Sequence, residues 1–249
     1  KYMFDTHAHL FKEYYTDEEI NKIASSFKGN IIVSGTDNNS NKEILELKYD
    51  NIYITLGIHP EDVLNYKESD IDFIVDNLNN PKVVGIGEIG LDYHYGKEDR
   101  DKQIDLFIKQ LDIARKYNLP VIIHSRDAIN DTINILKNYK DLKKVLHCYS
   151  GSIESARELI KLDTYFGVGG VLTFKNSTNL VQTIKKIPLD RIVIETDSPY
   201  LSPFRGNKNI PNNVEEVLKK LALIKEISYD DTLEITNSNA RYLFNIKEK

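Results

Sequence analysis

The chain has no tryptophan, a single cysteine and no apolar run long enough to cross a bilayer. Cys148 has no second cysteine to pair with, so an internal disulfide is excluded and a reducing compartment, the cytoplasm, is expected. A nuclear location would meet the same condition in a eukaryote, and a leader cleaved from a longer precursor stays compatible with the residues given. Excess positive charge is missing too: 33 Lys and Arg stand against 38 Asp and Glu, a net charge of −5. No global basic field exists to hold a long duplex, so nucleic acid would have to be engaged by a local patch or through metal ions. No linker, low-complexity stretch or shift of composition divides the 249 residues, and one domain over 1–249 is expected.

What is present is a repeated alternation. Short runs rich in Ile, Val, Leu or Tyr and mostly free of charge lie at 2–7, 30–34, 52–59, 82–88, 120–124, 144–148, 164–168 and 191–196. Such runs suit strands covered on both faces. Helical patterns separate them, as in Ile104, Phe107, Ile108, Leu111 and Ala114, or Ile129, Ile133 and Leu136. Thr16 with Glu19, Ser40 with Glu43, Asn212 with Glu215, and Ser228 with Asp230 and Asp231 mark helix starts. Eight strand-then-helix units in about 250 residues match an α/β fold of the (β/α)8 TIM-barrel type. An open doubly wound sheet is the alternative, but it would concentrate its signal at one switch point.

Here the signals recur around the chain. Glu88 closes the run 82–88, uncharged from Val83 to Gly87, where an unpartnered ionised carboxylate costs several kcal/mol or neutralises itself. A nearby cation is the simplest remedy. His7 and His9 stand two apart at the end of the first run, a spacing that converges only on a strand. His59, His124 and His147 each end a later run, and Asp197 follows the eighth. In a barrel, all C-terminal strand ends meet at one mouth, where the active site sits. A lone His or Asp at a strand end is ordinarily a satisfied hydrogen-bonding residue. The recurrence of ligand types at separate strand ends points instead to a metal site. The donors suffice for two adjacent divalent ions, with Glu88 placed to bridge them. Imidazole with carboxylate suits Zn, Mn or Co, and Mg where waters fill the remaining positions. Cys148, adjacent to His147 on a strand, is expected to face the core.

The motifs Phe4-Asp5-Thr6-His7-Ala8-His9-Leu10, Gly57-Ile58-His59-Pro60, Gly87-Glu88-Ile89-Gly90-Leu91-Asp92-Tyr93, Pro120-Val121-Ile122-Ile123-His124-Ser125-Arg126, His147-Cys148-Tyr149-Ser150-Gly151 and Glu195-Thr196-Asp197-Ser198-Pro199 run in order along the chain. With these, the sequence resembles the TatD family of metal-dependent deoxyribonucleases, among the amidohydrolase-like barrels. The resemblance implies that His7, His9 and Asp197 hold one ion, His124 and His147 a second, and that Glu88 bridges. It further implies that His59 and Asp92 line the site near the scissile phosphate. It points to 3′-to-5′ exonuclease action on DNA, with RNA a further substrate. Catalysis would fall to Glu88, Asp197 and His59. Arg126 is a candidate phosphate clamp or a partner of Asp127, and Arg205 a second candidate within the family-like segment 205–211. A short single strand or a 3′ end, with Tyr93 or Tyr200 stacking on bases, fits the acidic balance best. No membrane partner is expected, and the protein is expected to be a monomer or a weak oligomer. The same metal cage could serve an amide, ester or lactone, and a non-catalytic DNA-handling protein is the third class.

Overall fold

A computed structural model describes residues 2–247. Residues 1, 248 and 249, the ends of the expected domain, lie outside the described residues. Eight parallel strands are hydrogen-bonded in sequence order: Met3–Ala8 (β1), Gly29–Ser34 (β2), Ile52–Leu56 (β3), Val83–Asp92 (β4), Val121–Arg126 (β5), Lys144–Leu146 (β6), Thr164–Val168 (β7) and Ile192–Ile194 (β8). β8 returns to β1: the Asp197 amide donates to the His7 carbonyl and the His9 amide to the Ser198 carbonyl, both at 2.8 Å. The barrel expectation is thereby met, and the open sheet is not.

Nine helices surround the strands among the described residues: Asp17–Ser26 (α1), Asn38–Ile44 (α2), Glu68–Asp76 (α3), Arg100–Tyr117 (α4), Ile129–Leu136 (α5), Ile153–Lys161 (α6), Thr178–Lys186 (α7), Val214–Lys225 (α8) and Tyr229–Phe244 (α9). Phe4, Ile32, Val84, Ile122, Val145 and Val193, one from each of six strands, form a buried cluster with Ala240, Leu243 and Phe244 of α9. That apolar layer fills one end of the barrel and leaves the polar residues to the other. No described helix is long and apolar enough to cross a membrane.

Several boundaries differ from the sequence reading. β3 stops at Leu56, and His59 instead caps a short 3-10 turn, Pro60–Asp62. β6 stops at Leu146, so His147 and Cys148 lie on a turn, with Cys148 at φ +49° and half-buried. β4 runs on past Glu88 to Asp92, with one register slip against β3 and another against β5. A slip moves a side chain from one face to the other, and β1 has one as well, between Asp5 and Ala8. Thr16 and Ser228 cap α1 and α9 as expected, but Asp37 caps α2 with Ser40 in its first turn, and α8 opens after Asn213. Tyr93 is buried with its hydroxyl on Asp131, so it offers no face to a base; Tyr200 is half exposed.

Candidate metal centre

Glu88 stands at the middle of the polar end, and its two oxygens divide the neighbouring side chains. Oε1 lies 3.0 Å from His7 Nε2 and 3.3 Å from His9 Nε2, and Asp197 Oδ1 lies 3.5 and 3.3 Å from the same two nitrogens. Oε2 lies 3.1 Å from His59 Nε2, 3.0 Å from His124 Nδ1 and 3.1 Å from His147 Nε2. Residues from β1, β4, β5 and the loops after β3, β6 and β8 thus meet at one point. The sixth histidine, His94, is half exposed and pairs with Asp127 at 3.1 Å, away from this group.

The outer ring nitrogens decide which imidazoles can bind a cation. A carbonyl or carboxylate only accepts, and an amide N–H only donates. His9 Nδ1 lies 2.9 Å from the Ser34 carbonyl, so it carries the proton and Nε2 faces inward bare. His124 donates its Nε2–H to Asp92 Oδ2 at 2.9 Å, which leaves Nδ1 bare toward Glu88. His147 Nδ1 is buried without a hydrogen-bond partner, and the Glu195 carboxylate, 3.6 Å away, is the charge that favours a proton there and leaves Nε2 bare. His7 Nδ1 reaches the Ser34 hydroxyl at 3.3 Å, and Thr55 Oγ1 touches both that hydroxyl and the Gly87 carbonyl. A metal-facing Nε2 on His7 needs its proton on Nδ1, donated to Ser34, with Ser34 donating on to Thr55 and Thr55 to the Gly87 carbonyl. Outer partners of this kind orient metal-binding imidazoles.

His59 is the opposite case. Its Nδ1 accepts the Glu61 amide at 3.0 Å, so its proton sits on Nε2. A nitrogen that carries a proton cannot ligate. His59 is therefore a hydrogen-bond donor beside Glu88.

Four bare nitrogens facing carboxylate oxygens set lone pair against lone pair. Only positive charge between them relieves this. Protons are one source: Asp197 and Glu88 overcome the effect of burial and push His9 up to about 10, and Glu88 and Glu195 do the same for His147. Burial would raise the Glu88 carboxyl, but His147, His59 and His124 hold it well below the usual range. Divalent ions are the other source. Ligands about 2.1 Å from an ion sit about 3.0 to 3.4 Å apart in octahedral or tetrahedral arrangement. The separations around Glu88 match, and His7, His9 and Glu88 bring their ligand atoms within 4.8 Å of one another, as do His7, His147 and Asp197. The donor set fits the metal site that the sequence implied.

Other expected residues fall differently. Asp92 is buried, with Oδ2 on His124 and Oδ1 on the His94 amide at 3.0 Å, so it orients His124 and does not face the mouth. Arg126 is exposed over the Tyr95 ring at 6.0 Å, while Asp127 takes His94 in its place. Arg205 is exposed on the loop after β8. Neither arginine joins the contacts around Glu88.

Sequence reasoning missed the residues that aim these groups. Gln110 receives the Ile58 amide at 2.8 Å and donates to the Ile58 carbonyl at 3.0 Å, which fixes the chain just before His59. Gln103 clamps the Asp92 backbone in the same way at 2.8 and 2.9 Å. Both sit on α4, and a polar residue on the buried stripe of a helix was the signal available. Glu195 is buried behind His147, and a Cβ at Gly167 would fall 2.5 Å from its Oε2.

Asp5, also missed, is fully buried and pushed up to about 8 by burial, against hydrogen bonds from Thr196 and the His7 amide. With the folded value above the unfolded one, its contribution to stability is complete below about pH 4 and is lost as pH rises to about 8. Asp5→Asn keeps the acceptor and supplies a permanent donor toward Thr196. Relative to Asp5→Asn, the wild-type Tm is expected to fall between pH 4 and 8 and the difference to level off above. A difference independent of pH would contradict the assignment.

Residues 4–245 match the family described as "TatD related DNase". The chain is 42% identical over 253 residues to "Uncharacterized metal-dependent hydrolase YabD" of Bacillus subtilis, covering 98% of this chain and 99% of that protein. It is 37% identical to the similarly named BU355 of Buchnera aphidicola, across 98% of this chain and all (100%) of that one. Among solved structures, YjjV of Escherichia coli, a TatD homologue, superposes with a TM-score of 0.92 at 30% identity, covering 98% of each chain.

Proposed function

This chain belongs to the TatD-related DNase family as one of its metal-dependent hydrolases, and on that premise we propose that it is a deoxyribonuclease that removes nucleotides from the 3′ end of single-stranded DNA. The observation that carries the reading is the division of ligand-competent nitrogens between the two oxygens of Glu88. The donor set would suit two divalent ions, Mg, Mn or Zn: His7, His9 and Asp197 would hold one, His124 and His147 the other, and Glu88 would serve both. When bound, such ions lower the pKa of a coordinated water and neutralise charge on a phosphodiester.

The chain's own residues do the rest. Asp197, with Oδ1 at the mouth, accepts the proton of the attacking water. His59 Nε2–H turns from Glu88 to a phosphate oxygen as the substrate enters. The half-exposed Tyr200 offers a face to a base, and Arg126 at the end of β5 and Arg205 on the loop after β8 reach for flanking phosphates.

The test uses single-stranded oligonucleotides labelled at the 3′ or the 5′ end, with each metal and with chelator. Stepwise shortening from the 3′ end, abolished by chelator, is the expected result. Intact oligonucleotides alongside turnover of an amide, ester or lactone would replace this reading with a small-molecule hydrolase. Internal cuts would replace it with an endonuclease.

A further inference from the structure

A cavity of about 520 Å³ opens against His147, walled by the segments that follow β4, β5 and β6. Its size falls within the range of about 300–1,000 Å³ typical of sites for one small molecule. Tyr149, Leu146 and Ile129 give it apolar wall, and Ser150, Asn130 and Lys97 give it polar groups; its two carboxylates are both engaged, Asp127 with His94 at 3.1 Å and Asp131 with Arg100. Its other cation, Arg100, is already paired with Asp131 at 2.8 Å. Lys97 is exposed and acts on the Asp131 carboxylate from a distance, with no carboxylate within salt-bridge reach of it among the contacts of the described residues; its ammonium rests over the Tyr93 ring at 5.5 Å. The metal-facing nitrogen of His147 meets Glu88 Oε2, on the side of the cavity.

The opposite oxygen of Glu88 faces a different surface. His9 meets Oε1, and the Tyr200 ring lies 6.5 Å from His9 with its hydroxyl 2.5 Å from that of Tyr14. Tyr200 and Phe204 are each 47% exposed. Beyond His9, which meets Oε1, lies an exposed aromatic rim; beside His147, which meets Oε2, lies a cavity with room for one nucleotide.

The geometry points to a division of the substrate across Glu88: the 3′-terminal nucleotide enters the cavity beside His147, and the rest of the strand leaves over Tyr200 and Phe204. This rests on the nuclease reading above and adds where each part of the strand sits. The step is hydrolysis. The water oxygen bonds to phosphorus, the bond from phosphorus to the 3′ oxygen of the preceding sugar breaks, and that oxygen takes a proton. The products are a nucleoside 5′-monophosphate in the cavity and a shortened strand with a free 3′ hydroxyl. Lys97 neutralises negative charge on the departing nucleotide.

Ser150→Trp fills the cavity from an exposed loop, and Lys97→Ala removes its free cation; neither touches Glu88 or its imidazoles. Three readouts are compared in the metal-loaded protein: shortening of a 3′-labelled oligonucleotide, hydrolysis of bis(p-nitrophenyl) phosphate, and inhibition of that hydrolysis by deoxyadenosine 5′-monophosphate. The wild type is expected to release mononucleotides only. Ser150→Trp is expected to lower kcat/KM on the oligonucleotide about 10²-fold, the effect of displacing a substrate from its reacting position, with the small diester little changed. Both variants should weaken inhibition by the monophosphate. Oligonucleotide activity unmoved in Ser150→Trp, dinucleotide or longer products, or equal inhibition in all three proteins would overturn the proposal. If the wild type left oligonucleotides intact, the nuclease reading would fall, and the monophosphate inhibition would still decide whether the cavity takes a nucleotide.

Discussion

Glu88→Gln is expected to lose both metal ions together, and with them at least about 10³-fold in kcat/KM, beyond the about 10–100-fold typical of changes to outer partners. The reason is chemical, since the side chain keeps its size. The carboxylate accepts at both oxygens, and the four bare nitrogens around it also accept, so cations must lie between them. An amide donates from its nitrogen. It satisfies His124 Nδ1 and His147 Nε2 directly, and its neutral oxygen, left facing His7 and His9, lacks the charge that draws an ion to that side. Metal content after gel filtration should therefore fall to the level of chelated wild type. Thermal unfolding gives an independent reading. An ion at 100 times its Kd stabilises by about 2.7 kcal/mol. At about 2–4 °C per kcal/mol for a chain of this size, chelation should lower the wild-type Tm by at least about 5 °C. The Glu88→Gln protein should unfold at the same temperature with and without chelator. A variant that still binds one ion tightly would show that the two sites do not share Glu88.

The residues meeting at Glu88 were legible because the barrel converts order in the chain into position. Strand ends come to one rim whatever lies between them, so a histidine at the close of a β-branched run carries its address with it. His7, His9, Glu88, His124, His147 and Asp197 were found this way. What was not legible depends on backbone that leaves the regular pattern. The spacing of His7 and His9 suggested an unbroken strand, but β1 slips register before Ala8, and that slip sends Phe4 to the apolar layer and His7 to the centre. Likewise β4 was expected to end at Glu88; its two slips let it continue to Asp92, which then reaches His124 from behind. The clamps of Gln103 and Gln110 were hidden for another reason. The helical stripe was read from apolar residues alone, and a buried glutamine is stable only when both ends of its amide are matched by backbone that sequence does not display.

His59→Ala and His124→Ala are expected to part ways, although both rings lie within about 3.1 Å of the same Glu88 oxygen. His124 presents a bare Nδ1 because Asp92 takes its other proton; His59 presents Nε2–H because the Glu61 amide occupies its Nδ1. Removing His124 should strip the ion on its side and abolish turnover with it. Removing His59 should leave metal content and the chelator-dependent Tm shift at wild-type levels. What it removes is a donor to the phosphate as charge develops, worth about 10²–10³-fold in kcat. His59→Gln, whose amide can also donate, should recover part of that loss, which no ligand role would allow. The contrast holds whatever diester is used, since it concerns the phosphate and not the base. Loss of an ion from His59→Ala would mean that the ring turns over when metal arrives and gives up the Glu61 amide. The short turn Pro60–Asp62 would then lose its cap, and its backbone amides would exchange faster in the loaded protein than in the chelated one.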